Sequence, residues 1–242
     1  MSTILASRLN FYVENEEGNK TAIPLVDING IKNQIDKHVK NKKRLVWVAN
    51  NPDNFEGNDS RSKIMFESFN LTWEKEFFSE KIVLDHRNSL KAKQILQNAD
   101  VIILCGGKCL CQMNFFNEIN LKSILKKCQG LVIGISAGTM NLCKTFFNFP
   151  EEKSDLDEPR WFEGMGFCND VIIPHFDGET LSYQIPCEEI DVVNDFVLPA
   201  SHQKDFVGLP NGSYILLDEN GSKNFFGTIY KISKGKVTKI HS

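Results

Sequence analysis

Leu131–Asn141, LVIGISAGTMN, is an apolar run that stops at Gly134-Ile135-Ser136-Ala137-Gly138 and continues into residues able to start a helix. The pattern is G-x-S-x-G between a strand and a helix. Such a turn forces its central residue into a strained backbone conformation, and a Cβ on either flanking position would crowd it. The strain lifts the Ser136 hydroxyl above the carboxyl ends of the strands, where open α/β sheets bind ligands. The Ala137 N–H then points toward the same spot, where it would stabilise an oxyanion.

Working outward, short apolar runs alternate with stretches of helical spacing. Arg44–Asn50 reads as a strand buried on both faces, Ser60–Asn70 as a helix, Lys81–Asp85 as a strand and Leu90–Asn98 as a helix. Asp100–Cys105 is a strand ending in Gly106-Gly107, and Phe115–Cys128 reads as a helix leading to Leu131. Ile4–Ser7 is a candidate first strand, with a polar turn at Glu14–Asn19. This alternation predicts an α/β fold, a three-layer sandwich around a mostly parallel sheet. Further on, Val171–Pro174 and Asp195–Leu198 are short strand candidates. Asn211-Gly212 and Asn220-Gly221 are hairpin signals within Tyr214–Ile240, which predicts a small antiparallel C-terminal extension closing one sheet edge. No linker or repeat divides residues 1–242, so a single domain is expected.

Apolar residues make up 41% of the 242 positions and charged residues 24%, the profile of a packed globular chain rather than a disordered one. A net charge of −3 gives no field that would select nucleic acid. No apolar run approaches the ~20 residues needed to cross a bilayer, and Met1–Leu9 lacks the charged start and apolar core of a signal peptide. A cytoplasmic protein without a membrane partner, monomeric or homodimeric, is expected. Seven Cys without regular spacing argue against a disulfide framework. Cys105, Cys109 and Cys111 lack a neighbouring His and make a poor zinc site. No phosphate loop or dinucleotide fingerprint is present, so no metal or cofactor is expected.

Two further stretches bear on Ser136. Gly106-Gly107 ends the strand before it in sequence, and the Gly107 N–H is the candidate second oxyanion donor. Ile172-Ile173-Pro174-His175 brings a histidine out of a buried strand at the same carboxyl edge, a nucleophile–base pair with Ser136. Between them, Phe149–Trp161 carries five carboxylates, Glu151, Glu152, Asp155, Asp157 and Glu158. Most belong to a solvated loop, and one could orient the imidazole.

Taken together, ADVIILCGG, GISAGTMN, VIIPHFDGE and VGLPNGSYILLDENG resemble, in order and spacing from Ala99 onward, the peptidase E family of serine peptidases, which includes aspartyl dipeptidase and has cyanophycinase as a relative. The resemblance implies a fold related to class I glutamine amidotransferases, with Ser136 as nucleophile, His175 as general base and acid, and an acidic residue between them. By spacing Glu151 is favoured, with Glu152 and Asp155 as alternatives. It also implies Gly107 and Ala137 as the oxyanion hole and short peptides as substrate. The elbow holds a serine where the amidotransferases need a cysteine. Where many relatives read Gly-Gly-Asn-Thr, this chain has Gly106-Gly107-Lys108-Cys109, which changes the substrate side.

Selection of an N-terminal Asp requires a cation in the pocket. Lys204 is the one fixed positive charge in His175–Gly208, and Lys108 and Arg160 flank other parts of the site. A weakened or altered preference for acidic first residues is therefore expected. Two rival functions are a catalytically silent binding protein on the same scaffold and a hydrolase of another acyl bond. A serine-directed fluorophosphonate probe separates the first, and a dipeptide library the second.

Overall fold

The computed structural model describes residues 1–39, 41–74, 76–150, 155–157, 160–182 and 190–242. Its centre is a seven-stranded sheet. Five strands are mutually parallel: β1 (Thr3–Ala6), β7 (Leu131–Ile135), β6 (Val101–Leu104), β4 (Arg44–Val48) and β5 (Glu80–Leu84), in that spatial order. Beside β1, β12 (Tyr214–Leu217) and then β13 (Lys223–Phe226) add antiparallel.

Side chains alternate across this sheet with the two-residue period of a strand. Val101, Ile103, Leu131, Ile133 and Ile135 face α1 (Ile31–His38) and α2 (Phe55–Thr72), packing with Ile31, Ile35, Met65 and Phe69. Ile102, Leu104 and Val132 face the other way, against α3 (Ala92–Gln97), α4 (Cys109–Glu118) and α5 (Leu121–Leu125). Both faces are covered, which is why these strands read as continuous apolar runs. Each fully buried Ile or Val contributes roughly 1.5–3 kcal/mol. The result is an α/β fold with a mostly parallel sheet and flanking helices.

A second sheet of four strands, β10 (Val171–Pro174), β11 (Phe206–Leu209), β14 (Ile229–Ser233) and β15 (Lys236–His241), lies beyond α6 (Ala137–Leu142). A third apolar cluster joins Ala137 and Met140 of α6 to Val171 and Ile173 of β10. Two small ribbons complete the strands, β2 (Tyr12–Glu14) with β3 (Lys20–Ala22) and β8 (Thr145–Phe147) with β9 (Trp161–Glu163).

Four local expectations are corrected. The C-terminal stretch divides, β12 and β13 joining the central sheet while β14 and β15 join the second one. β10 also belongs to the second sheet, so His175 reaches Ser136 from a different sheet and not from the same sheet edge. Asp195–Leu198 lies in a helical segment, Val192–Val197 running into α7 (Leu198–Ala200), because the Asp191 carboxylate caps Val193 N and Asn194 N. The Phe115–Cys128 stretch breaks into two helices at Asn120, which takes the left-handed conformation (φ 53°).

Candidate active site

Four neighbouring strands deliver their carboxyl ends to one place. β7 ends at Ser136, β1 at Ser7, β6 runs through Cys105 to Gly106-Gly107, and β4 leads to Asn50. Ser136 has φ 52° and ψ −112°, a strained conformation for a residue with a side chain. The elbow is held by Ser136 N donating to Ala6 O at 3.0 Å and by the Thr139 hydroxyl donating to the same carbonyl at 2.8 Å. A Cβ on Gly138 would run into Leu104 O of the adjacent strand, so the helix packs this closely only with glycine there.

The histidine arrives from the second sheet. Pro174 pairs with Leu209 in the parallel β10–β11 register, which sets His175 and Asn211 side by side at the end of that sheet. His175 takes the left-handed conformation (φ 64°). Its backbone N–H donates to Ser7 Oγ at 2.7 Å, a bond that ties the two sheets together. His175 Nε2 then lies 2.9 Å from Ser136 Oγ, and Nδ1 lies 2.7 Å from Asn211 Oδ1. Asn211 Nδ2 donates to Ser182 Oγ at 2.9 Å. With the amide oxygen on Nδ1, the ring proton sits there and Nε2 presents its lone pair to the serine hydroxyl. Burial disfavours the imidazolium and lowers the His175 pKa below 6.5; the Asn211 hydrogen bond opposes this, and the Arg8 charge adds to it.

Sequence reasoning places the orienting group in the acidic loop, whereas the Nδ1 partner among the described residues is Asn211. Glu151 and Glu152 lie outside the described residues. Asp155 is described, and its backbone carbonyl accepts from Arg160 Nη2 at 2.7 Å. Asn211-Gly212 does form the predicted turn, with Ser213 N donating to Pro210 O at 3.0 Å, but the turn signal hides what the amide reaches.

Gly106 and Gly107 both line the cleft beside Ser136. Gly107 has φ 141°, and a side chain there would collide with Asn50. Asn50 fixes the backbone of Lys108 on both sides, accepting from Lys108 N at 3.1 Å and donating to Lys108 O at 2.9 Å. A buried amide chain braces the elbow from behind. Gln112 Nε2 donates to Cys105 O at 2.7 Å, and Asn141 Nδ2 to Gln112 Oε1 at 3.0 Å. Cys105 also borders the cleft, but burial pushes its thiol up to about 12, so it stays protonated.

The cleft has a volume of about 380 Å³. Phe11, Trp47 and Ile64 give it apolar walls, and Arg8, Lys20 and Arg61 bring three cations. Two of them lie over the Tyr12 ring, the Arg8 guanidinium 5.4 Å and the Lys20 ammonium 4.9 Å from its centre. Neither Lys108 nor Arg160 lines this cleft. The Arg160 guanidinium serves the carbonyls of Asn148, Asp155 and Leu156 and stacks over Phe196. Lys204 donates to Thr145 Oγ1 at 3.1 Å. The cleft's cations therefore come from residues 8–61, and not from the stretches around Lys108, Arg160 and Lys204. A larger groove of about 1190 Å³ lies around Lys43, Asp100 and Gly130, which flank the amino ends of the strands, and it holds none of these groups.

A serine on a strained strand-to-helix turn, hydrogen-bonded to an imidazole, is the arrangement of the nucleophile-elbow hydrolases. The model of peptidase family S51 matches residues 34–224, and the chain belongs to that family of serine-type peptidases. Among solved structures, a peptidase from an acI-B1 Actinobacterium superposes with a TM-score of 0.66 at 16% identity, over 99% of this chain and 93% of that one. A candidate peptidase E protein from Listeria monocytogenes EGD-e gives 0.58 at 12% identity, over 93% of this chain and 98% of that one. Comparison with curated proteins gives no match. Among the described residues no helix is long and apolar enough to cross a membrane.

Proposed function

We propose that the protein hydrolyses short peptides, with Ser136 as nucleophile, His175 as base and acid, and Asn211 orienting the imidazole. The observation that carries this reading is the 2.9 Å approach of His175 Nε2 to the hydroxyl of a serine held at φ 52°. As Ser136 Oγ attacks the scissile carbonyl, Nε2 takes its proton. The same proton then passes to the leaving amine as the C–N bond breaks, leaving an ester on Ser136. Water, deprotonated by Nε2, splits that ester and returns the enzyme. The N–H groups of Gly107 and Ala137 are the donors assigned to the tetrahedral oxyanion.

Arg8, Lys20 and Arg61 in the cleft favour a substrate that carries a carboxylate near the scissile bond, such as a peptide beginning with Asp. The expectation of a weakened acidic preference rests on a cation-poor pocket, and these three charges support an acidic preference instead. The test is steady-state kinetics on a dipeptide library with wild type and Ser136→Ala. Turnover of Asp-Leu that disappears in the variant supports the reading. Hydrolysis of esters but of no dipeptide would assign a different acyl bond.

A further inference from the structure

An amide beside a catalytic histidine differs from a carboxylate because its two ends are not equivalent. With Oδ1 on the ring, Asn211 accepts from Nδ1–H and leaves Nε2 unprotonated. Turned over, its Nδ2 would donate to Nδ1, the ring proton would move to Nε2, and no lone pair would face Ser136. Ser182 does not choose between these states, because a hydroxyl meets either end of an amide. Ser7 does choose. Its oxygen already accepts the His175 backbone N–H at 2.7 Å, and its proton is directed at Asn211 Oδ1, 3.4 Å away. Ser7 is fully buried, and its backbone N–H donates to Ser213 O at 3.2 Å, which fixes it to the turn carrying Asn211. Turning the amide would set Nδ2 against this hydroxyl and strand a buried proton without its acceptor.

We propose that Ser7 is a positioning residue: it sets the orientation of the Asn211 amide and thereby holds His175 in the Nδ1–H tautomer that accepts the Ser136 proton. The proposal rests on the Ser136–His175 reading above. Loss of the Ser7 hydroxyl lets both amide orientations coexist, and the fraction with Nε2–H is silent. A carboxylate at position 211 has two equivalent oxygens and cannot adopt the silent state, so the Ser7 hydroxyl becomes dispensable.

The test is a cycle of wild type, Ser7→Ala, Asn211→Asp and the double variant. Its two readouts are kinetics and ¹⁵N NMR of the imidazole nitrogens, the His175 signals being assigned by their loss in His175→Gln. Ser7→Ala is expected to lower kcat roughly 10- to 100-fold with KM little changed, and to populate Nε2–H. In the Asn211→Asp background the same change is expected to cost less than about threefold. Ser7→Thr, which keeps the hydroxyl, retains the wild-type tautomer and serves if the alanine variant does not fold. An equal loss in both backgrounds would overturn the proposal, reducing Ser7 to an anchor for the His175 N–H. So would wild-type His175 carrying its proton on Nε2. The tautomer is read without substrate, so an inactive wild type would count against the proposed function and not against this assignment.

Discussion

His175 Nε2 and Ser136 Oγ stand 2.9 Å apart although their strands belong to different sheets. The contact depends on the bond from His175 N to Ser7 Oγ and on the left-handed backbone at His175. Geometry of this kind is held by the fold and not by the two side chains alone, which gives it consequences that can be measured.

The first is pH dependence. Burial lowers the His175 pKa, so the base stays neutral to a pH below 6.5. The acidic limb of kcat/KM is expected to fall below 6.5, the ordinary value for histidine. Stability follows the same sign. The unfolded chain takes up this proton first, so His175 supports the fold above pH 6.5, and that support declines as pH falls toward the lower folded value. A limb above 6.5 would contradict the depressed pKa.

The second concerns substrate charge. Arg61→Ala is expected to lower kcat/KM for Asp-Leu by roughly 10- to 100-fold while leaving Ala-Leu nearly unchanged, since a lost charged contact costs on the order of 2 kcal/mol or more. Steady-state kinetics on the two dipeptides checks it. Equal losses on both would show that Arg61 does not read the side chain.

The third concerns the brace behind the elbow. Gln112→Leu removes the donor to Cys105 O and one of the two acceptors of Asn141 Nδ2, whose other bond, to Cys109 O at 3.0 Å, remains; both lost bonds are buried. Unpaired buried polar groups of this kind cost about 1–3 kcal/mol each. Urea unfolding is expected to show that loss as a lower midpoint at unchanged slope. A midpoint equal to wild type would mean the network is not stabilising.

The parts legible in the sequence were those with local causes. Val101–Leu104 and Leu131–Ile135 read as strands because both of their faces are buried, and the Gly-x-Ser-x-Gly spacing marked the elbow because the close approach of Gly138 to Leu104 leaves no room for a side chain. What escaped was long-range. Asn211 carries a strong turn signal that says nothing about an imidazole 36 residues away. Ser7 looks like the end of a strand until its hydroxyl is seen to join two sheets. Arg8, Lys20 and Arg61 lie among polar residues where a charge ordinarily means a solvated surface, and only the packing of the β2–β3 ribbon and α2 around the cleft collects them. After Asp191, Val192, Val193 and Val197 suggest a strand, whereas the Asp191 cap favours a helical start.

The most direct test of the central claim is labelling with a fluorophosphonate probe followed by peptide mass mapping. The account predicts a single adduct on Ser136, absent in Ser136→Ala and strongly slowed in His175→Gln, with both variants still folded. A folded wild-type protein that takes no adduct at Ser136, or a Ser136→Ala variant that retains near wild-type peptide turnover, would contradict it.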